Sequence, residues 1–202
     1  MRIDPLKFEG FSGILGGVVV PRPIALVSTT STGGANNLAP FSFFNVVSYT
    51  PPTLMLAISR FSGEKRERPK DTLWNIEQTG EFVVNVVVDE IAEAMVMTAG
   101  DYPANVDEFK VAGLTPVPSE RVRPPRVAES PVNMECRLSQ LVPVGKGKGE
   151  TMVVLGEVLL LHVRDDLIQG ERVDPHRLKA VGRLVGNLYC RTHDIFEAVR
   201  PS

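Results

Sequence analysis

The 202-residue chain has few of the groups from which protein-borne catalysis is usually built. Its two cysteines, Cys136 and Cys190, are too few for a disulfide scaffold and do not form a CxxC pair, so free thiols are expected. Its three histidines, His162, His176 and His193, are scattered, and each is expected at the surface or in packing. No GxxxxGK[ST] phosphate loop, HExxH, GxSxG elbow or metal-spaced cysteine and histidine cluster occurs. Aromatic residues at 6% offer little stacking surface, and a net charge of −2 gives no attraction for polyanions, so no nucleic-acid partner is expected. No run of about 20 apolar residues exists, which argues against a membrane span. An acid and a proline at Asp4-Pro5 break the pattern of a signal peptide, so the cytoplasm is the expected compartment.

Strand signals dominate what remains. Residues 24–30 are apolar and β-branched, 53–59 form a second apolar run after Pro51-Pro52, and 81–88 are launched from a turn at Gly80. From Val132 to Leu141 the chain alternates, with Val132, Met134, Cys136 and Leu138 on one face and Asn133, Glu135, Arg137 and Ser139 on the other. The long run 151–163 is broken by Gly156, which predicts a bulge or sharp bend. The alternating glycines of 145–150 predict an exposed hairpin tip, and 64–68 reads as a solvated charged loop.

Two helices are predicted. One follows Lys70-Asp71-Thr72, capped by Asp71 or Thr72, with Leu73 and Ile76 inward; the other follows Asp89, with Ile91 and Met95 inward. The proline-rich stretch 101–127 reads as a surface excursion inside one domain spanning 1–202. The sum is a mainly β, antiparallel barrel with a few helical insertions.

With so few acids, bases or nucleophiles in recognisable sets, an activity in this chain would rest on a cofactor, with the protein supplying orientation and electrostatics. The hairpin from Pro21 to Asn45 suits a planar phosphorylated ligand. Ser28, Thr29 and Thr30 offer hydroxyls, and Phe41, Phe43 and Phe44 offer a flat apolar wall. Lys70 precedes a helix start, where the dipole favours an anion.

The hairpin, together with Lys70-Asp71-Thr72, the segment 130–136 and Arg183-Leu184-Val185-Gly186-Asn187-Leu188-Tyr189, resembles the flavin reductase-like family over residues 10 to 195. The resemblance implies a Greek-key split β-barrel and a homodimer binding FMN near the subunit interface, with NADH or NADPH as electron donor. A non-catalytic FMN-binding electron carrier or flavin store is the alternative, and the motif order disfavours a pyridoxamine-phosphate oxidase type of barrel. Carried over by position, Ser28, Thr29 and Thr30 match the family's hydroxyl segment. Asn37, Ala39, Pro40, Phe41 and Ser42 match the ring-contacting loop, and Asn45 the asparagine after the paired phenylalanines. Ser59 and Arg60 match the end of the next strand, and Lys70, Asp71 and Thr72 the phosphate and capping site. Arg22 and Arg183 are candidates for the cation that favours the reduced ring, and Tyr189 closes the late motif, in which Val185 stands where the family carries glycine.

Overall fold

The structure is a computed structural model that describes residues 1–62, 68–199 and 201; the charged run at 64–67 lies outside them. A short strand β1 (Arg22–Pro23) leads into β2 (Ala25–Thr30), β3 (Asn36–Phe41), β4 (Phe44–Tyr49) and β5 (Pro52–Ser59). Later come β6 (Glu81–Val86), β7 (Val132–Val144) and β8 (Thr151–Val163), then β9 (Val181–Arg183) and β10 (Tyr189–Arg191). The main sheet is wholly antiparallel in the order β3-β2-β6-β7-β8-β5-β4.

That order dictates a barrel. The two edge strands, β3 and β4, are joined by Ser42 and Phe43 alone, a connection that reaches about 10 Å. Seven strands laid flat would hold their edges about 29 Å apart. The sheet therefore curls until its edges approach, and the β4–β5 ladder runs on into the connection, where the Ala57 N–H donates to the Phe43 carbonyl at 2.8 Å. No ladder joins β3 to β4, so the barrel stays split, as the family resemblance implies.

The barrel interior holds Val27, Leu56, Ile58, Phe82, Val84, Cys136 and Val154, plugged at one end by Leu73 and Ile76 of α2 (Asp71–Thr79). A second apolar layer lies outside β2, where Leu26 and Leu38 meet Met95 of α3 (Ala92–Met97) and Phe109 of α4 (Glu108–Ala112). The predicted helix after Asp89 is thus present, with Ile91 and Met95 buried. Strand β2 is covered on both sides, so Ala25 to Thr29 are all buried, the hydroxyls of Ser28 and Thr29 included. Both cysteines are free, and among the described residues no helix is long and apolar enough to cross a membrane.

Three helices escape the sequence pattern: α1, α4 and the four-residue α5 (Pro175–Leu178). Helix α1 (Phe11–Val18) carries three glycines and buries none of its residues, so neither propensity nor periodicity marks it. Helix α4 has only five residues, too few to show a period; the Asp107 carboxylate accepts the Phe109 N–H at its start, and Gly113 ends it at φ 65°. The capping expectation for α2 also needs correction. Lys70, not Asp71 or Thr72, is the N-cap residue, and its side chain makes no capping hydrogen bond.

The predicted break at Gly156 is real and has a packing cause. The β7–β8 register slips between Leu138 and Gln140, opposite Gly156 and Leu155. A Cβ on Gly156 would lie 2.3 Å from the buried Phe82 ring. Gly156→Ala is therefore expected to destabilise the fold by about 1–3 kcal/mol, the usual cost of overpacking. A denaturation midpoint equal to that of the unmodified protein would show that the ring is free to move aside.

The polar face of β7 is buried at Asn133 and Glu135 and solvated at Arg137 and Ser139. The 101–127 excursion covers the buried part: the Val127 N–H donates to Asn85 Oδ1 at 2.9 Å, and Asn133 Nδ2 donates to the same oxygen at 2.9 Å. Glu135, fully buried, accepts the backbone N–H groups of Glu120 at 2.9 Å and Arg121 at 2.6 Å. His162 Nε2 lies 2.6 Å from Glu135 Oε1, so this histidine has a specific hydrogen-bonding partner and not merely a packing role. The glycine-rich run 145–149 joins β7 to β8 as the predicted hairpin tip.

Candidate functional site

Strand β3 ends between two adjoining cavities, and Phe41 and Ala99 line both. The larger, about 460 Å³, falls within the usual small-molecule range of about 300–1,000 Å³. Its walls are mainly apolar: Pro40, Phe41 and Phe43 from the edge crossing, Gly13 and Gly16 from α1, and Leu184, Val185 and Tyr189 from the β9–β10 hairpin. The smaller, about 170 Å³, is polar and lies at the start of α2, where Lys70, Asp71 and Thr72 face Asn37, Asp101 and Glu108.

Arg22 and Arg183 both line the apolar cavity. Arg22 acts as a clamp: it donates to the carbonyls of Gly16, of Val19 at 2.8 Å and of Leu184 at 2.7 Å, and its Nε donates to Ser42 Oγ at 3.3 Å. One guanidinium thereby fixes the last turn of α1 and the hairpin loop against the end of β3. Arg183 donates to the Tyr189 hydroxyl and to the Gly186 carbonyl, with its guanidinium 4.6 Å from the Tyr189 ring centre. Val185 sits beside α1, where a Cβ on Gly17 would come 3.6 Å from Val185 Cγ2; in this chain the residue replacing the family glycine packs toward the helix.

In the polar cavity Asn37 Nδ2 donates to Thr72 Oγ1 at 2.9 Å, tying β3 to the first turn of α2. Burial pushes the Lys70 ammonium below its usual pKa, although Asp101 and Asp71 oppose the shift. Burial raises the Glu108 carboxyl, and its contacts with the backbone N–H groups of Leu38, at 3.1 Å, and of Glu108 itself only partly offset this. Asp71 and Asp107 push it further in the same direction.

The structure thus gathers Arg22, Asn37, Ala39, Pro40, Phe41, Ser42, Lys70, Asp71, Thr72, Arg183 and Tyr189 around one contiguous space. Six sequence candidates line neither cavity. The Ser28 hydroxyl donates to the Pro125 carbonyl, Thr29 Oγ1 accepts Asn75 Nδ2 at 3.0 Å, and Thr30 Oγ1 donates to Asn36 Oδ1 at 3.0 Å. Asn45 lies exposed on β4 with its Oδ1 accepting the Val46 N–H at 2.8 Å, and Ser59 is exposed at the end of β5. Arg60 pairs with Glu77 at 3.1 Å and with Glu150. Sequence reasoning missed Glu108, Asp101 and the α1 wall; neither a motif nor a period marks them.

The description of the flavin reductase like domain matches residues 17–177. Nitrilotriacetate monooxygenase component B from Bacillus cereus has the same fold at a TM-score of 0.92, with 32% identity and 98% of each chain covered. The 2-nitrobenzoate 2-nitroreductase NbaA of Pseudomonas fluorescens superposes at a TM-score of 0.88 with 32% identity, covering 100% of this chain and 97% of its own. A split-barrel flavin reductase structure from Shewanella frigidimarina superposes at 0.85 over the full length of both chains, with 22% identity, and shows the fold. Matched over most of its length and folded as the split barrel that the motif order predicts, the chain belongs to the flavin reductase-like family.

Proposed function

We propose that this chain is a single-domain, FMN-dependent oxidoreductase that takes electrons from NADH or NADPH. The observation that carries the reading is the pair of adjoining cavities, one apolar and flanked by arginines, the other polar with a lysine at a helix start. A ring system fits the first, between Phe41 and the β9–β10 hairpin, and Phe41 marks the junction through which a ribityl chain would pass. A phosphate is assigned to the second, where Lys70 and the backbone N–H groups of the first turn of α2 would hold it. At about 170 Å³ the polar cavity suits a phosphate better than an added adenosine, which favours FMN over FAD.

A bound flavin would supply the hydride-accepting chemistry that the side chains lack. The chain's own contribution is orientation and field. Arg22 and Arg183 keep positive charge at the wall of the apolar cavity, favouring negative charge there. Helix α1, held by Arg22, forms one wall of the cavity. The names of the Bacillus cereus and Pseudomonas fluorescens proteins, a monooxygenase component and a nitroreductase, support redox chemistry of this general kind.

A homodimer completes the reading. Edge strand β4 exposes Val46, Val47 and Tyr49 beside an apolar groove of about 400 Å³ floored by Leu54, Val158 and Leu160, a surface suited to a second copy.

Purified protein is expected to quench FMN fluorescence on binding, and anaerobic addition of NADH or NADPH to bleach the bound flavin. Failure to bind FMN would end this reading. Binding without bleaching by either nucleotide would favour the electron carrier or flavin store, which the same cavities serve equally well.

A further inference from the structure

Helix α1 is built inside out. Its small residues Ser12, Gly13 and Gly16 line the apolar cavity, while Leu15 and Val18, with Val19 after them, are each at least half exposed. Burial of an apolar stripe, which ordinarily holds a helix on its domain, is missing here. Two other contacts hold it. Among the described residues, the hydrogen bonds that join residues 1–20 to the rest of the chain come from Arg22 alone, to the carbonyls of Gly16 and of Val19 at 2.8 Å. The same guanidinium reaches the Leu184 carbonyl at 2.7 Å and Ser42 Oγ at 3.3 Å, so it also fixes the walls against which α1 closes. The second contact is Val185, so near the helix that a Cβ on Gly17 would lie 3.6 Å from its Cγ2 and 3.7 Å from its Cβ.

Arg22 itself is anchored, because β1 is laddered to β9 with Arg22 opposite Arg183. Between the anchor and the helix runs an exposed link, residues 19–21. A glycine-rich helix with no buried residue, held by one side chain, is a unit of low local stability that can swing on this link while the barrel stays folded.

We propose that α1 is a lid on the apolar cavity and that Arg22 is its positioning residue: the guanidinium latches the lid shut, Val185 seats it, and unlatching sets how fast a flavin enters and leaves. The inference rests on the flavin reading above and deepens it. Val185 stands where the family carries glycine, so the seat is a feature of this chain.

The test ties the lid down reversibly. The Gly17→Cys/Val185→Cys pair places two Cβ atoms 3.7 Å apart, inside the disulfide range of about 3.5–4.5 Å. Stopped-flow fluorescence follows FMN binding and release in one preparation, oxidised and then reduced with dithiothreitol. Oxidation is expected to slow both rates roughly tenfold or more with little change in affinity, and reduction to restore them. Gly17→Cys alone, treated in the same way, controls for Cys136 and Cys190. Arg22→Lys keeps the positive charge but not the fork, and is expected to release FMN roughly tenfold faster or more, the scale of one charge-assisted hydrogen bond.

Amide exchange of the flavin-free protein gives a readout independent of binding. Residues 11–19 are expected to exchange faster than the barrel strands, and faster still in Arg22→Lys, with the barrel unchanged. Equal rates in the oxidised and reduced pair, no faster release from Arg22→Lys, or exchange at α1 as slow as in the barrel would each overturn the assignment. Failure of the unmodified protein to bind FMN would instead remove the flavin reading, and this inference with it.

Discussion

Glu135→Ala is expected to cost the fold about 3–5 kcal/mol, the loss typical of breaking a buried charged network from one side. The Glu135 carboxylate is fully buried between β7 and the excursion. It accepts two backbone N–H groups, from Glu120 and Arg121, and pairs with His162 at 2.6 Å. Removing it leaves two amide donors and an imidazole facing an apolar methyl group. The segment around Ser119–Arg126 should then become the first site of proteolysis and of fast amide exchange, while the barrel interior remains protected.

Glu135→Gln separates charge from shape, because the amide oxygen still accepts one N–H. Burial by itself raises the Glu135 pKa, but the Glu120 N–H, His162 and the Arg121 N–H outweigh it and hold the group below the usual 4.5. A carboxylate lowered in the folded state contributes its full stabilisation above its unfolded pKa. That contribution is lost as pH falls through the lower folded value. The stability gap between the unmodified protein and Glu135→Gln is therefore expected to be full at pH 7 and to close below about pH 4. A gap that is absent at pH 7 would show that the carboxylate's charge contributes nothing to the closure.

Lys70→Ala is expected to weaken FMN binding roughly ten- to a hundred-fold, from about 1.5–3 kcal/mol for a charge-assisted contact to phosphate. Riboflavin affinity should hardly change, because the variant leaves the apolar cavity intact. Lys70 is half-buried at the helix start, and its burial already disfavours the ammonium, so a phosphate would strengthen a charge that now lacks full solvation. The hydroxyl segment makes the comparison informative. Thr29 and Thr30 bond to Asn75 and Asn36, so a double change of both to alanine should lower stability and affect the two flavins alike. Equal losses of FMN and riboflavin in Lys70→Ala would mean that the lysine is structural and that the phosphate is held elsewhere.

Much of the barrel was legible from local pattern. The strand runs, the Gly80 turn, the inner face of α2 at Leu73 and Ile76, the break at Gly156 and the 145–149 hairpin tip all depend on neighbours within a few residues. Alternation and turn chemistry carry such features because the pleat and the helix repeat over two to four residues. The cavity wall at Pro40, Phe41 and Ser42 and the lysine before α2 followed from that local reading and from the ordered family motifs.

Which polar groups face the cavities was settled by contacts between distant parts of the chain. Ser28 meets Pro125 across 97 positions, Asn75 meets Thr29 across 46, and Asn37 meets Thr72 across 35. A hydroxyl cluster reads alike in sequence whether its partners are a ligand or its own fold, because a hydroxyl can satisfy itself with either. Helix α1 depends on an arginine clamp from β1, and Glu108 becomes a cavity acid only because a five-residue helix is laid against Leu38. The sequence alone determined the strands, the turns and the apolar interior, since these are set by short-range periodicity. Curling of the sheet decided which side chains meet around the two cavities, since burial and hydrogen-bond pairing at such separations exist only once the barrel has closed.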